Sequence, residues 1–322
     1  AAISKITEWL MNDFGQLQLD LTDRTVSVLT SKKGKVTIRE KRKPIKMRPA
    51  DLSHNRKKRY ILEEGTPVPF LVDLGVMTPE GKIVHSKYDK FRQINRFLEF
   101  VEDILPRLPK DREVTILDFG CGKSYLTFVV YYYITEILHK KAHITGLDLK
   151  REVMENCTAL AKKYGYTGLE FLCMDVKDYK PEKQVDMVIT LHACDVATDY
   201  ALAFAVKCGA KYIFSVPCCQ KEANGMIHTE KFAIFTDYGL IKERFSALAT
   251  DALRAKLLEK SGYAVDVVEF VDFENSPKNM LIRAVRGKPS ADRFKAAHIE
   301  KEIAAIREEF GISITLEKLL CE

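Results

Sequence analysis

Short apolar runs alternate with stretches of helical spacing through the middle of the chain. Residues 114–117 form an apolar run that predicts a strand, a glycine turn follows, and the apolar stretch 125–138 predicts a helix. Runs at 143–147, 169–173, 185–190 and 211–216 predict four more strands, and 265–270 with 280–285 predicts a final antiparallel pair around Asn275-Ser276-Pro277. Upstream, residues 89–105 place Phe91, Ile94, Phe97, Leu98, Val101 and Ile104 at helical spacing, and Pro106 and Pro109 end that helix. The stretch between the fifth strand and the antiparallel pair exceeds a simple crossover, which predicts an insertion able to help cover a substrate. Strands alternating with helices in this way predict an α/β fold.

The turn after the first strand reads Asp118-Phe119-Gly120-Cys121-Gly122-Lys123-Ser124. Gly120 is free to take backbone angles other residues resist, and Gly122 lets a ligand approach the main chain. A phosphate-binding loop ending in Gly122-Lys123-Ser124 needs a glycine five residues before Gly122, and position 117 is Leu. A dinucleotide fold needs a third glycine where this chain has Ser124-Tyr125. What remains is an acid two residues before Gly-x-Gly, with Asp148 ending the second strand, placed to bond both hydroxyls of a ribose, and Asp175 after the third, placed to accept from an exocyclic adenine amine.

This set resembles the class I S-adenosylmethionine-dependent methyltransferases over residues 86–287. The resemblance implies a seven-stranded Rossmann-like sheet with helices on both faces and S-adenosyl-L-methionine across the carboxyl ends of the strands. It further implies Asp118, Gly120, Gly122, Lys123 and Ser124 near the amino-acid part of the cofactor, Asp148 and Leu149 at the ribose, Asp175 and Val176 at the adenine, and His192 at the pocket's edge. Ser124 stands where the family carries a third glycine. Phe-Gly-Cys-Gly-Lys-Ser, Leu-His-Ala-Cys-Asp and a Cys-Cys pair together resemble a methyltransferase-like family, some members of which are named for a ribosomal RNA adenine dimethylase domain; this leaves the acceptor open.

In that fold the transferred methyl points toward the segments after strands four and five. Here they read Thr190-Leu191-His192-Ala193-Cys194-Asp195 and Ser215-Val216-Pro217-Cys218-Cys219-Gln220. The Pro-Pro-aromatic element that holds a base for amine methylation is absent. Two cysteines here resemble the RNA cytosine-5 methyltransferases, which implies Cys218 as nucleophile, Cys194 assisting release, and Asp195 or His192 moving protons. His192, Cys194, Cys218 and Cys219 also form a set zinc accepts. The adjacent pair predicts strain in such a site and lacks the usual ligand spacing, so no metal is assigned. A third reading makes the cysteines small buried fillers.

Charge separates the chain into parts. Residues 1–110 hold 22 Lys and Arg against 14 Asp and Glu, and the remainder 29 against 31. From Lys32 to Arg59 there are 13 basic and 2 acidic side chains, a run that is either solvated or matched to a polyanion. Alternation at 24–29 and 35–39 predicts strands beneath that charge, and apolar residues at 60–62 and 68–74 predict a small core, which favours RNA as the partner. The expected organisation is a basic, β-rich N-terminal domain at 1–85, a methyltransferase domain at 86–287 and a helical C-terminal extension at 288–322. No apolar run reaches the roughly 20 residues of a membrane span, Ala1 to Leu10 shows no signal-peptide pattern, and the eight cysteines form no disulfide framework; a cytoplasmic protein is expected. The function expected is methyl transfer to RNA, with a protein or small-molecule methyltransferase, or a non-catalytic RNA-binding protein retaining the fold, as alternatives.

Overall fold

The computed structural model describes residues 2–21, 23–31, 35–42, 60–104, 107–109, 111–191, 193–270, 280–287 and 293–321. The chain divides into two compact units, Ala1–Lys58 and Arg59–Glu322.

The smaller unit carries helix α1 (Ala2–Asn12) and an antiparallel meander of β1 (Gln16–Asp20), β2 (Arg24–Thr30) and β3 (Val36–Arg42), in the order β1-β2-β3. The predicted strands at 24–29 and 35–39 are β2 and β3; β1 was not anticipated. Pairing of Gln18 with Ser27 and Ser27 with Arg39, and of Asp20 with Thr25 and Thr25 with Lys41, gathers these polar residues on one face. Because side chains alternate, Leu17, Leu19, Val26, Val28 and Ile38 share the other. Arg39, Lys41 and Arg42 are exposed. The rest of the basic run, residues 32–34 and 43–59, lies outside the described residues apart from Lys35.

The larger unit holds helices α2 (Pro69–Asp73) and α3 (Tyr88–Ile104), followed by β4 (Val114–Phe119), α4 (Tyr125–Tyr132), β5 (Ala142–Asp148), α5 (Arg151–Tyr164), β6 (Leu169–Cys173), β7 (Met187–Leu191), α6 (Val196–Lys207) and β8 (Tyr212–Val216). Then come α7 (Lys221–Met226), α8 (Gly239–Lys260), β9 (Tyr263–Glu269), β10 (Met280–Arg286), α9 (Arg293–Phe310) and α10 (Thr315–Cys321). The seven strands lie in the order β6-β5-β4-β7-β8-β10-β9, parallel except for β10, which is antiparallel to both neighbours. This is the expected seven-stranded Rossmann-like sheet.

Strands covered on both sides must be apolar throughout, and every residue of β4, β7 and β8 is buried. Alternation divides them between two cores. Ile116, Met187, Ile189 and Phe214 join Phe91, Phe97 and Phe128 on one face. Leu117, Phe119, Val188 and Ile213 join Leu202, Leu253, Leu257 and Leu258 on the other. The connections leave in opposite directions between β4 and β7, and at such a switch point the carboxyl ends of the strands open a crevice. Among the described residues no helix is long and apolar enough to cross a membrane.

Two boundaries differ from expectation. Leu62, Val68, Phe70 and Leu71 are buried with Phe91 and Phe128 in the larger unit, so they build no separate N-terminal core, and the division falls after Lys58 and not at residue 85. Ile299, Ile303, Phe310, Ile312, Ile314 and Leu316 are buried with the α6 and α8 side of the sheet, so the C-terminal segment is part of that core and not an appendage. Apolar spacing diluted by the many charges of α9 concealed this. The stretch between β8 and β9, predicted as an insertion, consists of α7, α8 and a short 3-10 turn. The proposed turn at Asn275-Ser276-Pro277 lies outside the described residues.

Candidate active site

The glycine turn is set by its backbone. Gly120 has φ 68° and Gly122 φ 51°, and Ser124 takes the left-handed conformation too, at φ 56°. Ser124 therefore adopts a conformation that favours glycine, at a cost of about 1–2 kcal/mol for a non-glycine residue, and its hydroxyl donates to the Gly122 carbonyl at 3.2 Å. At Gly120 a side chain would also meet Ala193, whose Cβ lies 3.2 Å from where a Gly120 Cβ would stand. The N–H groups of Gly120 and Cys121 donate to the Leu147 carbonyl at 2.8 and 3.2 Å, pinning the turn to β5.

Asp148 ends β5 and completes the pinning, with one carboxylate oxygen accepting the Gly122 N–H and the other the Lys150 N–H, each at 3.0 Å. A carboxylate has about four acceptor sites, so both oxygens keep capacity for ribose hydroxyls. Asp175 accepts the Lys177 N–H at 3.0 Å in the same fashion. Asp118 differs because it is fully buried. One of its oxygens accepts the Thr127 hydroxyl at 2.5 Å; the other is buried with no hydrogen-bond partner among the described residues. Burial, reinforced by the charge of Asp148, pushes Asp118 up to about 7 against the pull of Thr127.

A cleft of ≈ 410 Å³ opens over the ends of β4, β5 and β7, lined by Phe119, Gly120, Asp148, Leu149, Asp175, Val176, Ala193, Cys194 and Tyr200 among others. Of the residues the resemblance implied at the cofactor, Gly120, Asp148, Leu149, Asp175 and Val176 line this cleft. Asp118, Gly122, Lys123 and Ser124 are not in its lining and hold or flank the turn. His192 lies outside the described residues. Sequence reading missed Lys150, Met174, Lys177, Val196, Ala197 and Tyr200 in the wall. The Lys177 ammonium sits 3.9 Å from the centroid of the Tyr200 ring, a cation–π pair at the rim. The repeated Asp-x-Lys at 148–150 and 175–177 was a legible signal for the two lysines; nothing local marked Tyr200.

The loops after β7 and β8 bring three cysteines together. Cys194 Sγ lies 3.7 Å from Cys218 Sγ and 3.9 Å from Cys219 Sγ, and Cys218 and Cys219 are 3.7 Å apart. Cys194 is exposed and the other two half-buried, so they are not the core fillers of one sequence reading. Cys218 is pushed up to about 12, first by burial and then by its contacts with Cys219 and Cys194. Asp195, with φ 54°, has a strained backbone for a non-glycine residue. Its carboxylate accepts the Glu222 N–H at 3.2 Å, which ties the β7 loop to the start of α7.

Residues 89–225 match a family model described as a methyltransferase domain. A probable (S)-tetrahydroprotoberberine N-methyltransferase 2 of Papaver bracteatum is 29% identical over 77 residues, which is 24% of this chain and 20% of that protein, so the match spans about a fifth of the curated relative. Among solved structures, the magnesium protoporphyrin IX methyltransferase of Synechocystis PCC 6803 with bound SAH superposes with a TM-score of 0.40 at 13% identity, covering 64% of this chain and 89% of that one. An rRNA methylase of Streptococcus thermophilus gives 0.39 at 10% identity, covering 59% and 96%. The residues present fit the cofactor: a turn held in left-handed conformations and two strand-end carboxylates with free acceptor capacity. Residues 89–225 thus match a methyltransferase domain, and the residues lining the cleft fit S-adenosylmethionine as its cofactor.

Proposed function

We propose that the protein is a methyltransferase acting on RNA. The observation that carries this reading is the concentration of positive charge in the smaller unit, where β3 presents Arg39, Lys41 and Arg42 in a strand exposed along its whole length. Arg39 and Lys41 share one face of this folded sheet, and such a basic surface suits the regularly charged phosphate backbone, whose neutralisation releases counterions and makes binding salt-dependent. The polar face of this sheet also carries Ser27, which adds a neutral donor for phosphate or sugar oxygens, while Thr25 and Gln18 donate to Asp20 at 2.8 and 3.0 Å.

The bound cofactor would supply an electrophilic methyl on a sulfonium sulfur. The protein's own contribution is to hold the ribose and adenine ends with Asp148 and Asp175, leaving the reacting end beside the glycine turn and Ala193-Cys194. Charge does not choose the acceptor atom. Thiolate addition to a pyrimidine would need Cys218 ionised, whereas burial and two neighbouring thiols favour its protonated form, which weighs against the two-cysteine route.

Transfer of labelled methyl from S-adenosylmethionine to size-fractionated RNA and protein from cells lacking this gene tests the reading. Label in an RNA fraction, lost when Arg39, Lys41 and Arg42 are changed to Glu, is expected. Label confined to protein or small molecules and indifferent to those changes would overturn it.

A further inference from the structure

We propose that Cys194, Cys218 and Cys219 bind one zinc ion between the loops after β7 and β8. The spacing carries the argument. Ligands at the corners of a tetrahedron with Zn–S bonds of about 2.3 Å stand about 3.8 Å apart. The three sulfurs stand 3.7, 3.7 and 3.9 Å from one another, close to the three edges of one such face. The strain foreseen for adjacent cysteines does not prevent this, since Cys218 and Cys219 already turn their sulfurs toward a common point with Cys194.

Three further observations agree. The cluster is partly open to solvent, which suits metal entry better than core packing. All three sulfurs lie within 4.8 Å of one another, and they come from two loops 24 residues apart in sequence that the sheet brings side by side. Cys194 also lines the cofactor cleft, and its neighbour Ala193 abuts the glycine turn. Soft thiolates select zinc over the hard cations, and three protein sulfurs leave one further position in a tetrahedral shell. Binding is a ligand exchange: each thiol that ligates gives up its proton to solvent as its S–Zn bond forms, and no oxidant is consumed. Zinc would fix the two loops to one another at the cofactor cleft. The inference holds whichever acceptor the methyl group reaches.

The full chain purified without a metal-affinity tag should contain one zinc per molecule by plasma mass spectrometry. Cobalt replacing it should show the intense visible and sulfur-to-metal bands of a tetrahedral thiolate site. Cys194→Ser, Cys218→Ser and Cys219→Ser should each weaken zinc at least tenfold in competition with a chromophoric chelator, while Cys208→Ser, remote from the cluster, should not. Wild-type protein that takes up neither stoichiometric zinc nor tetrahedral cobalt would overturn the proposal, as would zinc unaffected by all three changes. So would a Cys194–Cys218 disulfide in freshly isolated protein. The cobalt spectrum needs no variant, so a serine variant that fails to fold leaves the test decisive.

Discussion

The guanidinium of Arg254 donates to the backbone carbonyl of Asp195 at 2.9 Å, from a side chain only 1% exposed. It also reaches Asp199 at 2.7 Å and Asp251 at 3.0 Å, both buried, and Asp251 accepts from Gln220 at 3.2 Å. One arginine on α8 thereby braces the loop after β7 directly and the loop after β8 through Asp251. Truncating one member of a buried ion network leaves the others unpaired, at a cost of about 3–5 kcal/mol. Arg254→Met should lower stability by that order in urea unfolding, and by more than Arg112→Met, whose partner Asp186 is buried but whose own side chain is 40% exposed.

Asp118 should make the cofactor-free protein less stable as pH rises. Its folded-state pKa, about 7, lies above the unfolded value near 3.9, so between these the native state binds more protons. The stabilisation is complete below about pH 4 and is lost as pH climbs toward and through 7, a loss on the order of 2–4 kcal/mol. Asp118→Asn keeps an acceptor for Thr127 but removes the titration. Its melting temperature should fall less than wild type between pH 5 and 8, with weakened cofactor binding. Parallel melting curves for the two proteins would contradict this assignment.

Gly120→Ala should impair the cofactor site more than Gly122→Ala. Both positions have positive φ, so each substitution costs about 1–2 kcal/mol of backbone strain. Only at Gly120 does the new methyl also press on Ala193, whereas nothing lies within 4 Å at Gly122. Calorimetric titration with S-adenosylmethionine should show at least a tenfold loss for Gly120→Ala and a smaller one for Gly122→Ala.

Tyr200 joins the cleft from α6, with Lys177 stacked over its ring. Removing the ring takes away apolar wall and frees the lysine. Tyr200→Ala should weaken cofactor binding several-fold, whereas Tyr200→Phe, which keeps the ring, should change it less than twofold.

Features carried by short sequence spacing were legible. The parallel strands announced themselves as apolar runs, and Asp118, Gly120, Asp148 and Asp175 sit at strand ends, where their spacing from each run placed them. Arg254 was not legible, because its meaning depends on Asp199 and Asp251 meeting it across helices. Tyr200 was hidden for a similar reason: it enters the cleft from α6, and helical spacing does not say which exposed edge faces a neighbouring turn. The apolar residues at 60–74 were recognised as core residues but assigned to the wrong core, since burial pattern identifies a buried face and not its partner. The cysteines were singled out, yet only the pairing of β7 with β8 sets their sulfurs on one triangular face.

The most direct test of the account is calorimetric binding of S-adenosylmethionine to wild type and Asp148→Ala. Asp148 holds the Gly122 amide and, on the proposed function, offers its remaining acceptor sites to the ribose. The expected result is stoichiometric binding to wild type and a loss of at least thirtyfold in the variant, about 2 kcal/mol, with the fold retained. Equal affinity in the two proteins, or no binding to wild type, would contradict a cofactor site at the ends of β4, β5 and β7.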